Sequence, residues 1–123
     1  MEEIARLDHV YQYNELMGIE TLHPLVSVID MSKCPRMRHS RRLYGFYCIF
    51  LKDVKCGDLR YGRNYYDYQE GTLVFTAPGQ VVGVEDNGEV FQPKGWALLF
   101  HPDLIRGTSL GRSIDRYTFF SYE

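Results

Sequence analysis

The stretch KGWALLFHPDLIRG, Lys94 to Gly107, sets the grammar of this chain. Trp96 to Phe100 is an apolar run of strand length, and His101-Pro102 stops it, because proline has no amide proton to give a sheet ladder. Working outward from it, the same pattern recurs as short β-rich runs punctuated by Gly, Pro and Asn. The runs are LVSVIDM (Leu25 to Met31), LYGFYCIFLKDV (Leu43 to Val54), LRYGRNYYDY (Leu59 to Tyr68), TLVFTA (Thr72 to Ala77), QVVGVE (Gln80 to Glu85), EVFQ (Glu89 to Gln92), WALLFH (Trp96 to His101) and DRYTFFSY (Asp115 to Tyr122). So many short strands without a long internal helix predict an all-β sandwich or barrel. Asn87-Gly88 takes the backbone angles of a tight hairpin turn, which predicts that Val81 to Glu85 pairs with Glu89 to Gln92.

The grammar differs before Pro24. Asp8 is placed to cap a helix, Val10, Tyr13 and Leu16 or Met17 recur at helical spacing, and Gly18 suits a C-terminal stop. A single domain is predicted, with a short helix and lead-in over residues 1–23 and a β unit over 24–123. The 123-residue length agrees with one domain, and 45% hydrophobic content is enough apolar surface to offset the chain entropy lost on folding.

Composition restricts function. A net charge of -2 provides no general attraction for nucleic acid. The single basic cluster, RMRHSRR from Arg36 to Arg42, is read as a solvated loop before it is read as a grip on an anion, an acidic partner or DNA. Three cysteines without C-x-x-C spacing read as reduced, packed thiols. The acidic start MEEIARLDH is unlike a secretion signal, which leads to an expected cytoplasmic location without a membrane partner.

A catalytic centre is hard to assemble from these residues. His9, His23, His39 and His101 are scattered, with no His-x-His to put two imidazoles on one strand face, so no metal and no cofactor is expected. There is no G-x-S-x-G elbow, and GVEDNG does not fit a phosphate-cradling loop. His101, alone at a strand end, is read first as a terminus residue bonding backbone or water, and second as a ligand contact. Leu59 to Tyr68 mixes aromatic and polar groups on both parities, which suits either a cavity for a small polar ligand or an exposed strand decorated with tyrosines. In Leu43 to Val54, both parities are apolar, so the outer face should be covered by the N-terminal helix, a partner subunit or a further segment.

The phrases TLHPLVSVIDMSKCP, GFYCIFLKDVKCGDLRYGRNYYDYQEGTLVFTAPGQVVGVEDNG and FQPKGWALLFHPDLIRGTSLG resemble the N-terminal cupin-type sensory domain of bacterial AraC-family transcription regulators. The resemblance runs from about Ile19 to Glu123, with GWALLFHPDLIRGT its most specific phrase. It implies a cupin-like double-stranded β-helix, or jelly-roll barrel, that binds an unknown small-molecule effector and forms a homodimer. It also implies that DNA is read by a C-terminal helix-turn-helix domain that this chain does not contain. Gly71, Pro78 and Gly79 echo the second metal motif of cupin enzymes, but Gln80, Val81 and Val82 stand where its histidine is expected. The chain is therefore expected not to be an enzyme. Tyr47, Arg60, Tyr61, Tyr66, Phe75, Trp96 and His101 are the expected ligand-binding residues. The rival readings are a metal-dependent cupin isomerase or dioxygenase, and a ligand-free protein-interaction module with its interface on the Tyr-rich strand.

Overall fold

The computed structural model describes residues 4–52, 57–61, 64–68 and 72–116, with side chains described for 4–51 and 73–116. In chain order the first half contains β1 (Ala5–Leu7), α1 (Val10–Leu16), β2 (Val26–Asp30), a 3-10 turn η1 (Met31–Lys33), β3 (Met37–Arg38), β4 (Arg41–Tyr44) and β5 (Tyr47–Lys52). The second half contains β6 (Gly57–Tyr61), β7 (Asn64–Tyr68), β8 (Thr72–Thr76), β9 (Val81–Gly83), β10 (Val90–Phe91) and β11 (Trp96–Phe100). Beyond β11 come α2 (Pro102–Ile105), α3 (Ser109–Ser113) and a 3-10 turn η2 (Ile114–Arg116). The strands form a five-stranded sheet in the order β1-β4-β9-β6-β7, a four-stranded sheet in the order β2-β11-β5-β8, and a small β10-β3 pair. The expected all-β class is therefore met.

Alternation along the four-stranded sheet separates its two faces. Cys48 stands opposite Thr76 and Leu99, and Phe50 opposite Val74 and Ala97, so these side chains share one face with Ile29. That face packs into a cluster with Tyr44 and Val82 of the five-stranded sheet, with Val10 and Tyr13 of α1, and with Met17 at its C-cap. The opposite face carries Tyr47, Ile49, Phe75, Leu98 and Phe100. Ile105 of α2 and Ile114 of η2 cover one end of it in a second cluster. Cover of the outer face thus comes from the C-terminal turns, whereas α1 packs into the inner core. Farther along the outer face Val28, Leu73 and Trp96 are exposed.

Leu43 to Val54 was expected as one strand and is two. β4 belongs to one sheet and β5 to the other, and the chain crosses between them at Gly45-Phe46. Crossing requires a close approach: the Gly45 amide donates to Leu7 O at 2.8 Å, and a Cβ on Gly45 would lie 3.1 Å from the Asp8 backbone. Leu59 to Tyr68 is likewise two strands, β6 and β7, paired antiparallel from Gly57 opposite Tyr68 to Tyr61 opposite Asn64. The connecting Gly62 and Arg63 lie outside the described residues, as does Gly71 of the cupin-motif echo.

Three further expectations are corrected. The Asn87-Gly88 turn does not join a β9–β10 hairpin, because β9 pairs with β4 and β6 while β10 pairs with β3. Side chains capture the donors there: Asp86 Oδ1 accepts from the Gly88 amide at 2.8 Å, and Asn87 Oδ1 accepts from the Glu89 amide at 2.9 Å. Of the expected strand Asp115 to Tyr122, Asp115 and Arg116 lie in η2, and the rest is outside the described residues. The N-cap of α1 is His9 in place of Asp8, and Gln12 Oε1 accepts from both their amides. Gly18 ends the helix in the left-handed region, as its position suggested.

Candidate functional site

A cavity of about 100 Å³ opens between α1, β4, β9 and the β3–β10 pair. Of the basic run, Arg38, His39, Ser40 and Arg42 line it, and Ser40, Arg42 and Tyr44 share one parity of β4 and its lead-in. Val82 stands opposite Arg42 in the β4–β9 ladder and lines the same wall. Also lining it are Met17 at the C-cap of α1, Met31 of η1, Met37 of β3 and Phe50 of the four-stranded sheet. His39 stacks on Phe91 at 4.4 Å with 10° between the ring planes, and both line the side formed by β3 and β10.

The wall's polar groups have defined partners. Arg42 Nε donates to Ser40 Oγ at 3.0 Å, and Nη2 lies 3.9 Å from Met37 Sδ. Burial pushes the Tyr44 phenol up to about 12 against the opposing pull of the Arg42 guanidinium, and burial raises Tyr13 well above its ordinary value. Both hydroxyls are therefore neutral donors at physiological pH. Arg38 and Arg41 have carboxylates close by, Asp86 Oδ1 at 3.0 Å and Glu85 Oε1 at 3.3 Å. Arg42 has no described carboxylate in ion-pair contact, and no Asp or Glu is among the described residues lining the cavity.

None of the described expected ligand residues lines this cavity. Tyr47 and Phe75 belong to the cluster on the outer face of the four-stranded sheet, where Tyr47 stacks on Phe100 at 5.0 Å. Trp96 is on that face too, and is half exposed. The backbones of Arg60 and Tyr61 lie in β6 and that of Tyr66 in β7, but their side chains are outside the described set. His101 caps α2: its Nδ1 accepts from the Asp103 amide at 3.1 Å, and its ring stacks on His9 at 5.6 Å. Pro102 then takes the first helical position, where a missing amide proton costs nothing. His-Pro therefore ends a strand and begins a helix in a single step. No group of three or more His, Cys, Asp or Glu among the described residues is arranged to hold a metal ion.

Arg42, Tyr44 and the methionines were not singled out as ligand residues from the sequence. The signal available was RMRHSRR, in which Arg38 and Arg42 both reach the cavity wall while Arg38 and Arg41 take carboxylate partners. No family model, curated protein or solved structure matches the chain.

Proposed function

We propose that this chain is the effector-sensing domain of an AraC-type transcription regulator, built on a cupin-like barrel and binding a small molecule in the cavity beside Arg42. The observation that carries the reading is the wall itself: aromatic, thioether and cationic groups converge on one space, the composition of a small-ligand site. The resemblance of GWALLFHPDLIRGT and its companion phrases supports the family and, through it, cytoplasmic location, dimer formation and DNA binding by a further domain. The domain recognises its ligand without transforming it, and occupancy biases the arrangement of the DNA-binding part through unequal affinity for two states.

Thermal unfolding tests this with a panel of carbohydrates, aromatic acids and signalling metabolites, since a ligand that binds only the folded state raises Tm. At least one compound should raise it, and Met17→Trp, which fills the cavity, should abolish the rise. A null response across the panel, or a rise that survives Met17→Trp, would overturn the placement of the effector in this cavity.

A further inference from the structure

We infer that the cavity selects a small carboxylate with an apolar body, its anionic group held by the Arg42 guanidinium. This inference rests on the reading that the cavity takes a ligand, and it names the class.

Three arginines from one short run separate by partner. Arg38 and Arg41 meet Asp86 and Glu85, whereas Arg42, half-buried in the wall, has a hydroxyl and a thioether. A guanidinium has five N–H donors, and even with the Tyr44 hydroxyl counted beside Ser40 and Met37, three neighbours leave donors to spare. A partly desolvated cation needs an anion or several good acceptors, and the described lining supplies no carboxylate. The neutral Tyr44 hydroxyl beside it adds a donor to the same anion. Arg38 also lines the cavity but is paired with Asp86, so one guanidinium without a carboxylate remains; it matches the two oxygens of one carboxylate, whereas a phosphate group carries more charge than that cation offsets.

The opposite wall decides the rest of the molecule. Met17, Met31 and Phe50 present no strong donor or acceptor, and methionine adapts its shape to irregular apolar groups. A sugar would leave most of its hydroxyls unpaired against such a wall, at a cost for each. A volume of about 100 Å³ holds roughly seven water-sized spheres, which suits a short aliphatic or single-ring acid.

The experiment compares butyrate, hexanoate and benzoate with their primary amides and with inorganic phosphate, following Tm of the whole chain and titrating each compound by calorimetry. At least one acid should raise Tm by about 5 °C at saturation, and its amide should bind roughly tenfold more weakly. Arg42→Gln should remove the preference for acid over amide while leaving weak amide binding in place. Arg42→Lys retains charge without the bidentate fork, so it should weaken acid binding while keeping acid favoured over amide, and it serves if the Gln variant does not fold. Equal binding of acids and amides, or stronger binding of phosphate, would overturn the carboxylate assignment and leave the ligand cavity standing. No response to acids or amides, in a protein that does respond to another compound lost on Met17→Trp, would also overturn the assignment alone. Silence toward every compound would sink both.

Discussion

Gly83 faces Arg41 in the β4–β9 ladder at φ +98°, and a Cβ there would run into the Ser40 carbonyl oxygen. Gly83→Ala must therefore accept left-handed strain and also push back the strand that carries Ser40 and Arg42. We expect a loss of about 2 kcal/mol in chemical denaturation, together with weaker ligand response, whereas an unchanged midpoint would show that β4 yields freely. At this scale the sequence was partly legible. Gly18, Val10 and Tyr13 behave as their spacing suggested, because helix period and glycine stops are local properties. Arg42 was hidden because the inward parity of a strand depends on which residue begins it, and Ser40 sits just outside β4.

Among the elements, β11 and α2 share the His101 junction. The His101 ring is mostly buried, at 16% exposure, and Nδ1 serves as the α2 cap, while Ile105 on the same short helix packs against Tyr47 and Phe100. His101→Ala should cost about 1 kcal/mol through the lost cap, and His101→Asn should restore most of it, measured by urea denaturation. A His101→Ala protein of full stability would mean that packing of Ile105 alone holds the turn. The strands themselves were legible from their apolar runs and breakers, but their partners were not. Asn87-Gly88 reads as a hairpin only if its amides remain available to the ladder, and the Asp86 and Asn87 side chains take them. Gly45 reads as one more strand residue until the approach of Leu7 and Asp8 makes it a crossing point between sheets.

For the whole molecule, the core sets a boundary at high pH. Burial pushes the Tyr44 phenol and the Cys48 thiol each up to about 12, from ordinary values of 10.0 and 9.0, the effect on Cys48 opposed by the Thr76 hydroxyl. Between those values the unfolded chain releases protons that the folded chain retains, so stability is complete below about pH 9 and falls as pH rises toward 12. Tyr44 should withdraw about 3 kcal/mol and Cys48 about 4 kcal/mol across that window, and Cys48→Ala should make the fall between pH 9 and 10 shallower. Denaturation midpoints measured from pH 8 to 11 would show this, and a flat profile would mean that these groups meet water. An all-β class was legible from composition and punctuation at this scale. The layering was not, since both parities of Leu43 to Val54 are apolar and only the tertiary contacts distinguish inner from outer face.

The four-stranded sheet is a partition one backbone thick. Phe50 reaches the cavity from its inner side, opposite Ala97 in the ladder, and Trp96, next to Ala97, stands on the outer side. The chain's one tryptophan is therefore an untouched witness. Its emission can report a shift of the partition when the cavity fills, with no ligand able to quench it by contact from within.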